Sequence, residues 1–270
     1  ATSPTGSAPS LTWSAGQGAV SYRVLRDGAL VATTTATSFV DATQADGSHV
    51  YVVRAINRAG TVSGDATTTV LVDATAPAAP TGLAAPTPTA SAPALTWTAA
   101  ADGAGSGVVA YVVTRDGADV ATVAGTTAID SALAADGVYA YAVRAVDAAG
   151  NVSASSTAIS VRRDATAPTV PLGLAAAASP TAAAPSLAWS AATDAGAGIT
   201  GYRVRRDGAV VATVTGTTYA DPRPADGSYA YTVEAVDAAG NASAASAAVT
   251  VVVDATPPAP ATVEVLGSPT

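Results

Sequence analysis

Six aspartates stand at closely matched offsets along the chain: Asp73, Asp102 and Asp147, then Asp164, Asp194 and Asp237. Three carboxylates brought within several Å repel one another unless a cation neutralises them. An oxygen-only set suits a hard ion, and Ca²⁺ takes about 6–8 oxygens at roughly 2.3–2.6 Å. Little else in the chain could do chemistry. There is no Cys and no Met, and the 270 residues hold one His (His49) and two Glu (Glu234 and Glu264). Without thiols there is no disulfide framework, thiolate zinc site or cysteine nucleophile, and a single His makes no polyhistidine metal site. A catalytic centre needs convergent titratable groups. The His and Glu residues recur at no equivalent place, so a non-enzymatic chain is expected. The net charge is −8 and every cationic side chain is Arg. No basic stripe is available to neutralise phosphates, which excludes nucleic acid from the expected partners.

The elements that must position these aspartates follow from an internal repeat. Asp-Ala-Thr-(Ala/Pro)-Pro begins at Asp73, Asp164 and Asp254, spacings of 91 and 90 residues. Each unit carries Leu-x-Trp (Leu11/Trp13, Leu95/Trp97, Leu187/Trp189), then a Val-rich run from Tyr22, Tyr111 or Tyr202 that ends in Arg-Asp-Gly. Ala-Asp-Gly follows, and after it Tyr-x-Val-x-Ala from Tyr51, Tyr141 or Tyr231. The expected domains are 1–72, 73–163 and 164–253, with 254–270 a linker or the first strand of a further domain.

Within a unit the apolar period is 2, as half-buried strands require. Arg-Asp-Gly at 26–28, 115–117 and 206–208 joins two such runs, and Asp-Gly is a hairpin signal because Gly accepts positive φ. The order differs from the adhesive Arg-Gly-Asp, and the hairpin accounts for it. About seven short strands per unit, punctuated by Gly and Pro, indicate an all-β fold of three tandem antiparallel seven-stranded β-sandwiches. Mean hydropathy is +0.34, yet no stretch approaches about 18 uninterrupted apolar residues, so no membrane insertion is expected. The apolar content is largely small: Ala makes up about a quarter of the chain, far above ordinary usage. The chain opens on Ala1, and the expectation is a processed product or excised piece with any export signal outside it.

Each unit resembles a fibronectin type III domain. The residues that carry the resemblance are Pro80-x-x-Leu83 and Pro171-x-x-Leu174, the Leu-x-Trp of strand B, the Tyr-x-Val of strand C, and the strand F pattern Tyr-x-Val-x-Ala-x-Asp-x-x-Gly at 141–150 and 231–240. One departure stands out. The Leu-x-Pro usual ahead of the strand F Tyr is replaced by Ala-Asp-Gly (45–47, 135–137, 225–227), which leaves the E–F corner open. The wording and the Lys-free, Ala-rich composition are similar to arrays in secreted and surface proteins of high-GC bacteria.

In such a sandwich the start of strand A and the B–C and F–G loops share one pole. Asp73, Asp102 and Asp147 are assigned to those three places in the second unit, and Asp164, Asp194 and Asp237 in the third. The first unit has no Asp from Ser14 to Ala19 and carries Asn57 at the F–G position. Two readings follow: a Ca²⁺ at each interdomain junction, or turn capping and pairing with Arg. Asn151 and Asn241 match the glycosylation sequon but read as turn residues. The Pro-rich stretches 86–93 and 179–185 read as A–B turns.

Proline restricts its own φ and the residue before it, so Asp-Ala-Thr-Ala-Pro connectors are expected to be stiff. Three sandwiches in series would make a rod of roughly 100 Å at ~3.3 Å per strand residue. The function expected is an extracellular, non-enzymatic spacer or adhesive stalk whose partners are other domains of the same or a neighbouring protein, or a cell surface. Two alternatives stay open: a polysaccharide-binding accessory region of a secreted hydrolase, and a structural subunit of an appendage or virion. The accessory reading calls for an exposed aromatic platform, for which Phe39 and Tyr219 are the ambiguous rings.

Overall fold

Alternating apolar residues and Asp-Gly turns produce an all-β chain in the computed structural model, which describes residues 3–42, 44–222 and 224–263. The first repeat holds β1 (Ser10–Thr12), β2 (Ala19–Arg26), β3 (Ala29–Thr34), β4 (Ser38–Val40), β5 (Gly47–Asn57) and β6 (Ala66–Val72). The second holds β7 (Thr81–Ala84), β8 (Ala94–Thr98), β9 (Val108–Arg115), β10 (Ala118–Val123), β11 (Thr127–Ile129), β12 (Gly137–Asp147) and β13 (Ile159–Arg163). The third holds β14 (Leu172–Ala176), β15 (Ser186–Ser190), β16 (Ile199–Arg206), β17 (Ala209–Val214), β18 (Thr218–Ala220), β19 (Gly227–Asp237) and β20 (Val249–Val253). Residues 254–263 form no strand, and 264–270, with Glu264, lie outside the described residues.

Two compact units emerge from the packing. One comprises Ala1–Pro86, Ala92–Ala134 and Val138–Val161; the other comprises Thr87–Ser91, Ala135–Gly137 and Arg162–Thr270. In the first unit the sheet orders are β1-β4 with β3-β2-β5-β6, and β11-β8-β7 with β10-β9-β12-β13. In the second they are β14-β15-β18 with β17-β16-β19-β20. Among the described residues the first repeat shows six strands. Ser3-Pro4 is the counterpart of Thr87-Pro88 and Ser179-Pro180, in the turn that follows β7 and β14 in the other repeats. β1 pairs with β4, and Trp13 is half-exposed while Trp97 and Trp189 are buried.

Each repeat has its own core. Leu95, Trp97, Tyr111, Tyr141, Val143 and Val161 form one, and Leu187, Trp189, Tyr202, Tyr231, Val233 and Val251 another. The first repeat gathers Leu11, Val24, Tyr51, Val70 and Val72. Trp and Tyr meet edge to face at 5.5–5.6 Å between ring centres, a favoured geometry for aromatic quadrupoles. The hairpin expectation holds in detail: Asp27/Gly28, Asp116/Gly117 and Asp207/Gly208 all have positive φ, +50° and +83° to +84°, as a type I′ turn demands.

Arg-Asp-Gly does more than turn the chain. The Arg reaches a buried Asp directly after β4, β18 or β11: Arg26 Nη1 to Asp41 Oδ2 at 2.7 Å, Arg206 Nη1 to Asp221 Oδ2 at 2.7 Å, and Arg115 to Asp130. The same carboxylates accept the hydroxyls of Tyr51, Tyr141 and Tyr231 at 2.9, 2.8 and 2.6 Å. This network closes the E–F corner that Ala-Asp-Gly had left open. Burial, then the neighbouring carboxylate, pushes the Tyr51 hydroxyl up to about 12.

Candidate functional site

Both aspartate triads assemble. Asp73, Asp102 and Asp147 each bring a carboxylate oxygen to within 4.8 Å of the others', and so do Asp164, Asp194 and Asp237. The contributing elements differ slightly from expectation. Asp73 and Asp164 are the residues directly after β6 and β13, ahead of strand A rather than on it. Prolines in the stretches that follow lack the N–H a ladder needs, so β7 and β14 begin several residues later. Asp147 and Asp237 are the last residues of β12 and β19, at the mouth of the F–G loop. Asp102 and Asp194 sit in the B–C loop as read from sequence.

Backbone amides hold the acids in place. In the first unit Asp73, which is 1% exposed, accepts from Ser106 N at 2.6 Å through Oδ2 and from Thr75 N at 3.2 Å through Oδ1. The Ser106 hydroxyl and amide hold its carboxyl below the usual range. Asp102 Oδ2 accepts from Gly107 N at 2.7 Å, and Asp147 Oδ1 from Asn151 N at 2.8 Å. The second unit repeats the pattern: Asp164 Oδ2 accepts from Ala197 N at 2.5 Å, and Asp194 Oδ2 from Gly198 N at 2.6 Å. Asp237 Oδ1 accepts from Asn241 N at 2.8 Å. Asp194 Oδ1 is buried with no hydrogen-bond partner, and a Cβ at Gly196 would overlap Asp164 Oδ2. The loop thus approaches the carboxylates as closely as glycine allows, and one oxygen is left for a further partner.

Asn151 and Asn241 carry a role that sequence reasoning missed. Asn151 Nδ2 donates to Asp73 O and to Asp147 Oδ2, both at 2.7 Å; Asn241 Nδ2 donates to Asp164 O at 2.8 Å and Asp237 Oδ2 at 2.7 Å. The side chain ties the F–G loop to the connector, and a sugar on that nitrogen would break the tie. The signal was present in the recurrence of Asp-Ala-Ala-Gly-Asn only where a leading Asp also occurs. In the first repeat Asn57 replaces Asp147, and its Oδ1 caps its own loop through Ala59 N and Thr61 N, both at 3.0 Å.

The aromatics take no platform. Among the described residues every Trp, Tyr and Phe is buried or half-buried, and Phe39 and Tyr219 pack against their own cores. Arg115 lies over the Tyr139 ring and Arg206 over Tyr229, at 5.8 and 5.4 Å, so a cation already occupies one face of each ring. The cleft beside Asp73 is lined by Asp, Gly, Ala and Thr with no ring.

A three-stranded A-B-E sheet facing a four-stranded C′-C-F-G sheet, seen in β7–β13 and β14–β20, is the fibronectin type III arrangement. The chain is a tandem array of such domains. It is 43% identical over 246 residues to exoglucanase B of Cellulomonas fimi, covering 85% of this chain and 22% of that protein. To chitinase A1 of Niallia circulans it is 45% identical over 188 residues, covering 67% and 26%; to exoglucanase A of Cellulomonas fimi, 40% over 260 residues, covering 88% and 30%. The chain therefore spans under a third of each of these relatives. Among solved structures, the FN1–FN3 domains of chicken CNTN1 align over 92% of this chain and 95% of theirs, with 16% identity and a TM-score of 0.47. No family model matches the chain.

Proposed function

We propose that this chain is a non-catalytic spacer array of an extracellular polysaccharide-degrading protein, with modules 1–72, 73–163 and 164–253 and a connector from 254. One observation carries the reading: the residue directly after the last strand of a repeat, Asp73 or Asp164, is already buried within the site formed by the loops of the next. The connector is thus anchored at its first residue, as a spacer that sets distance requires and a loose tether does not. Similarity to segments of exoglucanases and a chitinase supports the setting. The covered aromatic rings favour the spacer over a polysaccharide-gripping surface. Incubation with microcrystalline cellulose and with chitin tests this. The chain is expected to stay in solution, and retention on either polymer would overturn the spacer reading in favour of a binding accessory.

The triads are proposed to hold one Ca²⁺ each, the ion neutralising three carboxylates and fixing connector, B–C loop and strand F end to one another. The free Asp194 Oδ1 and the glycine-limited loop approach fit such an ion. With a dissociation constant in the ~10⁻⁴–10⁻³ M range of extracellular calcium modules, 10 mM Ca²⁺ would stabilise a site by about 1.4–2.7 kcal/mol. Calorimetry before and after chelation should show that shift, and Asp102→Ala with Asp194→Ala should abolish it. Identical melting with and without Ca²⁺ would leave amide capping as the whole role of the triads.

A further inference from the structure

Ala-Asp-Gly, the departure from the fibronectin type III pattern, lies beside the connector that leaves the same repeat. In all three repeats its Asp takes two donors from the Asp-Ala-Thr that follows the last strand. Asp46 Oδ1 accepts from Ala74 N at 2.9 Å and Oδ2 from the Thr75 hydroxyl at 2.5 Å. Asp136 accepts from Ala165 N at 2.8 Å and the Thr166 hydroxyl at 2.5 Å, and Arg163 Nη1 adds a charge-assisted bond at 2.7 Å. Asp226 accepts from Ala255 N at 3.0 Å and from the Thr256 hydroxyl. Each carboxylate thereby grips two consecutive residues by different groups, which restrains the torsions between them. Proline comes next but one at 77 and 168 and next at 257, narrowing the torsions beyond.

Asp73 and Asp164 are buried beside the loops of the repeat ahead, whereas Asp254 is exposed among the described residues. Yet the grip of Asp226 on Ala255 and Thr256 has the same two donors in the same order as the other two. The grip of the repeat being left is therefore common to all three connectors, while contacts from the loops of the repeat ahead are added at the first two.

We propose that Asp46, Asp136 and Asp226 are positioning residues that recognise the Asp-Ala-Thr connector and set the direction in which the chain departs each repeat. The Ala-Asp-Gly loop is a docking site in cis for a backbone N–H and a Thr hydroxyl on adjacent residues. This rests on the spacer reading and requires no ion in the triads, although Asp46 and Asp73 line one cleft, as do Asp136 and Asp164.

The test uses the full chain and residue-resolved amide exchange. Asp226→Ala should speed exchange at Ala255 at least about tenfold while leaving Ala74 and Ala165 unchanged; Val233 and Val251 amides report whether the third repeat remains folded. Thr256→Val, which removes one hydroxyl and keeps the carboxylate, should give a smaller rise at the same site. For direction, the Cys-free chain accepts labels at Ser38→Cys and Thr122→Cys, both exposed positions. Asp46→Ala should broaden the distance distribution between them, and Asp46→Glu should not restore it. Unchanged exchange at Ala255 in both variants, or an unchanged distribution in Asp46→Ala, would overturn the proposal. Polymer retention tests the spacer reading separately, so failure of one is distinguishable from failure of the other.

Discussion

Removing the carboxylate at the E–F corner should be among the costliest single changes in this chain. Asp221 is buried, as is Tyr231, whose hydroxyl it accepts at 2.6 Å; Tyr219 donates to its other oxygen at 3.2 Å and Arg206 to the first at 2.7 Å. Asp221→Ala strands the Tyr231 hydroxyl in the core, a loss of about 1.5–3 kcal/mol for a hydrogen bond to a charged group. It also unpairs Arg206. Breaking a buried pair costs about 3–5 kcal/mol, but the Arg206 side chain is 28% exposed and can rehydrate. The expected total is about 3 kcal/mol, or about 12–24 °C in the melting of a domain this size. Asp221→Asn, which keeps one acceptor oxygen but loses the other and the charge, should cost about 1–2 kcal/mol. Three modules give overlapping transitions, so the measurement is denaturant-dependent hydrogen exchange read on peptides within 199–253. A double-mutant cycle with Tyr231→Phe should be non-additive by about 1–2 kcal/mol, because both changes remove the same bond. An Asp221→Ala cost under about 1 kcal/mol, additive with Tyr231→Phe, would refute the claim that this network holds the corner.

Two further outcomes follow from single residues. His49 has a hydrogen-bond acceptor on each ring nitrogen, Asp27 Oδ2 at 2.7 Å and Ala45 O at 2.8 Å, so only the protonated ring satisfies both. Asp27 raises the imidazole above its ordinary 6.5, against the opposing charge of Arg26, and His49 in turn holds the Asp27 carboxyl below 3.8. The tie therefore stabilises the first repeat fully below about pH 6.5 and fades as pH rises through the raised His value. At the acid end it fades as pH falls through the lowered Asp value. The single His gives one imidazole signal by NMR, and a midpoint at or below 6.5 contradicts the geometry. Gly196→Ala places a methyl against Asp164 Oδ2, so it should lower the Ca²⁺-dependent gain in melting temperature of the third repeat at least several-fold, measured by calorimetry, while Gly125→Ala, where a Cβ meets open space, should not.

Both triads were legible in the sequence because a repeat turns spacing into position. Once Leu-x-Trp and Tyr-x-Val-x-Ala had fixed the strands, Asp102 and Asp147 could fall only in loops or strand ends near the connector. What periodicity could not carry was the partner of each polar group. Arg26, Arg115 and Arg206 read as the edge of a hairpin, because nothing in a period of 2 says that the Asp 15 residues on turns inward to meet them. Asn151 read as a turn residue for the same reason: its amide crosses 78 residues of sequence to reach Asp73 O.

The buried polar groups answer a difficulty set by composition. With Ala at core positions such as Ala145 and Ala235, both fully buried, each repeat removes less apolar surface from water than a Val- or Leu-rich sandwich would. Ala also gives a core little shape by which to select one packing. Strand-end register is instead specified by groups that need a particular partner. In the segments ahead of β13 and β20, serine side chains take up strand amides: those of Val143, Ala145, Val233 and Ala235 donate to the hydroxyls of Ser156, Ser153, Ser246 and Ser243 at 2.8–3.1 Å. A buried N–H without a partner is costly, so only the register that places those serines opposite is free of penalty. Arg–Asp–Tyr does the same at the E–F corner, and the Ala-Asp-Gly carboxylate does it for the connector. A chain poor in bulky residues thus fixes its strand ends and its joints with hydrogen bonds that admit one arrangement, and distance-setting demands just those two parts to be fixed.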